Sequence, residues 1–239
     1  MNRFLFNILH GQPLNQEYAY CKPENYRRFL DEKSATDWAV KFYSQWTDRY
    51  NEKYQFIDLS SCIQDEYSLD PVRYCCGYGA RWVNNYLREI EVPTIEHNSF
   101  SDVLATVLIW APKVPENVVA YRFVPHVVIQ ALLEANQSRK PYVDQGFMSC
   151  TLLFDPPNNA AFDYPDVLEI YVSSQSIGVY TNLLDGCRRA EFELLLQKNS
   201  KLVLIDYPYR KGHRTVYPVH LMNNMDSLQF LNDHFGVIQ

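Results

Sequence analysis

Two carboxylates, Glu191 and Glu193, stand with one residue between them in RRAEFELLLQ (188–197), immediately before three leucines. In an extended strand, residues two apart project to one side, so this spacing predicts both carboxylates on one face at the entrance to a buried strand. A carboxylate can accept a proton or face a developing positive charge. Two in register also describe an ordinary solvated strand face. Arg122, near the end of VVAYRFVP, offers a planar fork for an anion, or merely an ion-pair partner at a strand end. Ser149, in DQGFMSCTLL, is a strand hydroxyl until something beside it gives it a task.

Other chemistries find less support. The six cysteines (21, 62, 75, 76, 150 and 187) show no C-x-x-C, and no paired Cys or His spacing of a zinc site occurs. They read as small buried hydrophobes in a reducing compartment. Cys75 and Cys76 have no matched histidine and acid pattern that would make a thiol nucleophile. GYGARW lacks the third glycine and the preceding strand of a dinucleotide fingerprint. His126, four residues past Arg122, reads as a capping or surface group rather than a residue that lines a cleft. A formal charge of −6 opposes nucleic acid as a partner, and the basic stretch YRKGHR reads as a turn between strands.

The elements that must position these groups follow from periodicity. SATDWAVKFYSQW offers Ser34 as a helix cap with Asp37 three residues on, then Trp38, Phe42 and Trp46 along one face. GARWVNNYLREI repeats the pattern with Trp82, Val83, Tyr86, Leu87 and Ile90, and a third helix is expected from Ser101 to before Pro112. From Asn117 the composition turns β-branched and aromatic. NVVAYRFV reads as a strand, a short helix over residues 127–134 follows, and strand-like runs recur as GFMSCTLLF, DVLEIYV, EFELLL, KLVLIDY and TVYPVHL. Helices first and strands afterwards imply an α+β fold with a mostly antiparallel sheet. The 239 residues are expected to form one domain, with residues 1–115 as its helical side and 116–239 as its strand-rich side. The start, MNRFLFNILHGQPLNQ, has no apolar run of signal-peptide length, and no stretch reaches the length of a membrane span.

Arg122, the Ser149 strand and Glu-x-Glu, in that order on an α+β domain, resemble the arginine–serine–glutamate signature of the arginine-modifying mono-ADP-ribosyltransferase toxins of bacteria. VNNYLRE (83–89) is similar to that family's aliphatic-Asn-x-x-Leu-Arg helix. VPENVVAYRFV is similar to its approach to the arginine, YVDQGFMSCTL to its Gly-Phe-aliphatic-Ser-Thr-Ser strand, and LEIYV to the strand that follows. NLLDGCRRAEFELLLQKNSKLVLI follows the pattern of the recognition turn, Glu-x-Glu and two strands. The chain departs from the family at Cys150 and Thr151, in the second and third positions of Ser-Thr-Ser, and at Phe123, where some members carry a second basic residue.

The resemblance implies two packed, mostly antiparallel sheets with helices from the N-terminal third, NAD⁺ as substrate and no metal. It implies that Glu193 stabilises positive charge at the ribose as nicotinamide leaves, and that Glu191 docks the acceptor guanidinium and takes its proton. Arg122 would bind the anionic side of NAD⁺ and Ser149 would orient Glu193. Asn84, Arg88 and Gly146 would contact the dinucleotide, and Phe154 would stack on nicotinamide. The implied partner is a protein bearing an acceptor arginine, chosen by the turn at residues 180–190. The implied setting is a bacterial cytosol, without a cleaved signal peptide, followed by delivery to a host cytoplasm through a specialised secretion system. Transfer to water, as an NAD⁺ glycohydrolase, and a silent binding module of the same fold are the alternatives.

Overall fold

The computed structural model describes residues 2–14, 21–54, 70–92, 95–157, 163–187 and 191–222. Among these residues six α-helices lie at α1 (Arg3–His10), α2 (Glu32–Lys53), α3 (Pro71–Tyr74), α4 (Ala80–Leu87), α5 (Ile95–Trp110) and α6 (His126–Gln137), with a π-helical turn, Cys75–Gly79, joining α3 to α4. The cap of α2 lies three residues before the expected one. Asp31 has extended backbone and its side chain accepts from the Ser34 amide at 2.7 Å, so Ser34 falls inside the first turn. The third long helix starts at Ile95 rather than Ser101, and the short one runs to Gln137.

Nine strands follow: β1 (Val118–Val124), β2 (Tyr142–Asp144), β3 (Met148–Thr151), β4 (Asp166–Val172), β5 (Gly178–Tyr180), β6 (Glu193–Leu196), β7 (Ser200–Leu204), β8 (Tyr209–Lys211) and β9 (Arg214–Met222). Their order is β2-β7-β9-β4-β1-β3-β6-β5, with β8 on β9. Among the described strands only β4 and β9 pair in parallel, and the isolated bridge between Arg27 and Val118 is parallel too. YRKGHR supplies β8 and a tight turn at Gly212, whose φ of 62° suits glycine. The ladder is continuous but narrows at β1–β3 to a single pair, Tyr121↔Thr151. It therefore has two limbs, β3-β6-β5 and the remaining six strands. Each limb is antiparallel apart from that one pairing.

One core cluster joins the helices to both limbs. Trp38 and Tyr43 of α2, Phe100, Leu104 and Leu108 of α5, Ile170 of β4 and Leu194 and Leu196 of β6 all belong to it. The four-residue spacing on α2 thus places Trp38 in the core, 6.3 Å by ring centroid from Tyr180 on β5. A second cluster takes Val119, Tyr121 and Phe123, the alternate residues of β1, together with Phe154.

Candidate active site

Asn84 lies on α4 and Arg88 caps its C-terminal end, four residues apart and so on one side of the helix. Asn84 grips Phe147 twice, accepting from its amide at 2.8 Å and donating to its carbonyl at 3.2 Å. That anchors the turn between β2 and β3 against α4. Gly146 sits in this turn, where a β-carbon would come within 2.5 Å of the Asn84 Oδ1 and 2.8 Å of the Arg88 Nη2. Only a glycine allows so close an approach.

Asp144, at the end of β2, organises the surroundings and was not singled out by the sequence reading. Its carboxylate is 1% exposed and accepts from Arg88 Nε at 3.0 Å and Nη2 at 3.3 Å, from the Gly146 amide at 3.0 Å and from Arg122 Nη1. Burial alone would raise the Asp144 carboxyl, but Arg122 and Arg88 outweigh it and hold it below the ordinary aspartate value. Burial likewise works to lower the Arg122 guanidinium, and Asp144 turns the balance upward. Two arginines on one carboxylate leave this cluster one positive charge in excess. Both guanidinia are partly exposed while the carboxylate is sealed in.

The second half of the site is built on β6. Glu193 is its first residue, buried, opposite Thr151 of β3. Among the described residues it takes its side-chain hydrogen bond from Thr181 Oγ1, at 2.7 Å on Oε2, rather than from Ser149. Ser149 is exposed on β3 and pairs with Leu195, one alternation further along the ladder. Thr151 uses its hydroxyl oxygen to accept from the Leu153 amide at 3.1 Å.

The expectation that Glu191 and Glu193 share a strand face is corrected by the backbone between them. The strand starts at Glu193, and Phe192 has φ 50°, a left-handed conformation that costs a bulky residue about 1–3 kcal/mol. Strand alternation therefore stops short of Glu191, which is half-buried ahead of the strand. Burial of the Phe192 ring in the main core holds the kink in place.

Cys150, the departure in the middle of the serine strand, points into the core with Met148, and its thiol donates to the Met148 carbonyl at 3.8 Å. A hydroxyl has no special use there. Burial pushes this thiol up to about 12, with Arg122 pulling it down and Glu193 and Asp144 pushing it up. Cys150 pairs with Leu194 of β6 and sits next to Thr151, the partner of Tyr121 on β1, so it lies between the strands that carry Glu193 and Arg122. Cys75 and Cys76 lie near the same glutamate. Burial first, then Glu193, raises Cys75, and a hydrogen bond with Cys187 followed by burial raises Cys76, so neither is an activated thiolate.

One expected residue lies elsewhere, and His126 keeps the surface place expected of it. Phe154 does not join the arginine cluster. Its ring is packed in the second core cluster, edge-on to Tyr121 at 5.3 Å and covered by the Lys211 ammonium 3.6 Å from its centroid. His126 is exposed at the start of α6 and pairs with Asp166 at 2.9 Å, a surface role. The turn at residues 180–190 is described to residue 187, and residues 188–190 lie outside the described set. Among the described residues, no helix is long and apolar enough to cross a membrane.

No protein-family model matches the chain, and comparison with curated protein sequences finds no match. Solved structures do match. BECa, the ADP-ribosylating toxin of a binary enterotoxin of C. perfringens, solved with NADH, superposes with a TM-score of 0.63 at 17% identity over 82% of this chain and 50% of its own. Plx2a, an ADP-ribosyltransferase toxin from Paenibacillus larvae, gives 0.56 at 16% over 81% of this chain and 98% of its own. The C3 exoenzyme of Clostridium limosum gives 0.55 at 16% over 83% and 98%. The chain spans about half the length of BECa and nearly all of the other two. At these identities the likeness is one of fold, and the fold is that of the ADP-ribosyltransferase toxins.

Proposed function

We propose that the protein is a mono-ADP-ribosyltransferase that moves ADP-ribose from NAD⁺ to an arginine side chain of a target protein. The observation that carries the reading is the sharing of buried Asp144 by Arg88 and Arg122, which leaves a net positive charge within the same fold as Glu-x-Glu. The residues suit a dinucleotide substrate. Arg122 and Arg88 have guanidinium edges beyond those that Asp144 occupies, and a diphosphate is the anion such forks bind best. Gly146 keeps the turn open where any β-carbon would press on Asn84 and Arg88. Ser149, exposed on β3, is available to the substrate itself.

Glu193 then supplies negative charge, fixed before reaction, to the cation that grows on the ribose as nicotinamide departs. Glu191 stands ahead of the strand and directly follows the turn at residues 180–190 in sequence, where an acceptor would arrive. An arginine with a pKa above about 12 must lose a proton to become a nucleophile, and Glu191 would bind it by charge and accept that proton. The fold neighbours that act as toxins support a setting in which one domain over residues 1–239 is made in a bacterial cytosol and acts on a host protein.

The test is incubation of the purified protein with labelled NAD⁺ and a cell lysate. Wild type should label a protein band, with the label mapping to arginine by mass spectrometry. Glu193→Gln should cut nicotinamide release by about 10²–10³-fold. Glu191→Gln should lose transfer while nicotinamide release continues. Label on another residue type would overturn the acceptor assignment, and nicotinamide release with no labelled protein in any lysate would support a glycohydrolase.

A further inference from the structure

We infer that Thr181, at the end of β5, is the residue that positions Glu193, and that it ties this carboxylate to the turn at residues 180–190. The inference rests on the ADP-ribosyl chemistry proposed above. Thr181 is fully buried and donates its hydroxyl to Glu193 Oε2 at 2.7 Å. The same two residues share a backbone bond, from the Thr181 amide to the Glu193 carbonyl at 3.0 Å. The next residue, Asn182, accepts from the Glu193 amide through its side chain at 3.2 Å. Residues 181 and 182 therefore hold Glu193 by its amide, its carbonyl and one carboxylate oxygen.

The neighbouring hydroxyls are placed for other uses. Ser149 is opposite Leu195, and the hydroxyl of Thr151, although directly opposite Glu193, serves the Leu153 amide. Thr181 also starts the turn. Its carbonyl accepts from the Leu184 amide at 2.9 Å, and the Leu184 carbonyl accepts from the Cys187 amide at 3.2 Å. Arg73 of α3 donates through Nε to the Asp185 carbonyl. The segment expected to meet the acceptor is thus continuous, through hydrogen bonds, with the carboxylate expected to face the donor. A buried hydroxyl on an ionised carboxylate fixes its orientation before substrate arrives, which is where a preorganised charge has its value.

The experiment compares Thr181→Val, which keeps shape and removes the hydroxyl, with Thr181→Ser, which keeps the hydroxyl. It measures nicotinamide release, NAD⁺ affinity by calorimetry and the melting midpoint. Thr181→Val should lower kcat by roughly ten- to a hundredfold, the loss of one hydrogen bond to a charged group, with NAD⁺ affinity within about threefold of wild type. Thr181→Ser should restore kcat to within about threefold, and Ser149→Ala should lose less than Thr181→Val. Should Thr181→Val fold poorly, Thr181→Ala provides the same comparison. Wild-type kcat in a folded Thr181→Val or Thr181→Ala protein would overturn this inference alone. Equal losses in the Val and Ser variants, tracking a lowered melting midpoint, would reduce Thr181 to a packing residue. A wild-type protein that neither binds nor consumes NAD⁺ would overturn the inference together with the functional reading.

Discussion

Asp144 and Glu169 are both carboxylates sealed inside the sheet and both are held by arginine, yet the two clusters differ in charge and closure. Glu169, on β4, accepts from Arg28, from Tyr171 at 2.9 Å and from Tyr209 at 3.1 Å, while Arg28 also donates to Tyr121 at 3.2 Å and Tyr171 at 2.5 Å. One acid meets one base, and tyrosine hydroxyls complete the shell. Burial first, with Glu169 adding to it, raises the Tyr171 and Tyr209 phenols, so they remain donors. Asp144 instead serves two arginines and a backbone amide, and its cluster carries an uncompensated positive charge. A closed, neutral network is the form that stability alone requires. On the function proposed above, a network left with an excess of one sign would take a ligand of the other sign, and the count of charges would then separate the two clusters where burial does not.

That contrast can be broken from either side. Replacing Glu169 with Ala should produce the largest loss of stability, about 3 kcal/mol, the lower end for a broken buried pair because Arg28 is itself 38% exposed. A chain of this size should then melt roughly 6–12 °C lower, with NAD⁺ affinity unchanged below the transition. Thermal denaturation followed by circular dichroism reads the first quantity and calorimetry the second. A weakened NAD⁺ affinity in a folded Glu169→Ala protein would erase the distinction.

A smaller effect concerns pH. Asp144 is held below its ordinary value in the folded state, so its contribution to stability is complete above the unfolded-state value and disappears as pH falls through the folded one. Asp144→Asn should therefore be less stable than wild type at neutral pH, with the two proteins converging as pH falls from the ordinary aspartate value through the lower folded-state one. Urea unfolding at a series of pH values measures the convergence. A constant difference across that range would mean that Asp144 contributes shape rather than charge.

Much of the architecture can be read from runs of side chains. The β-branched and aromatic stretches that become β1, β4, β7 and β9 carry their own signal, as do the tryptophans of α2. The strands β2, β5 and β8 have three residues each, too few for an alternation to register. The candidate site divides the same way. Asn84, Arg88, Arg122, Gly146, Ser149 and the two glutamates stand in stretches similar to a known signature. Asp144 and Thr181 do not announce themselves. In DQG an aspartate reads as a turn residue, and its real surroundings form only when Arg122 and Arg88, 22 and 56 residues away, are folded against it. Thr181 meets Glu193 across a separation of 12 residues through the pairing of β5 with β6. The kink at Phe192 is equally invisible, because the positive φ is imposed on an ordinary residue by burial of its ring rather than encoded by a glycine.

The most direct test of the central claim is a calorimetric titration of NAD⁺ into wild type, Arg122→Gln and Arg28→Gln, well below the melting transition of each. If the excess charge around Asp144 binds the dinucleotide, wild type and Arg28→Gln should bind within about threefold of each other, and Arg122→Gln should bind at least roughly tenfold more weakly. Equal affinity in wild type and Arg122→Gln, or no binding by wild type, would contradict it.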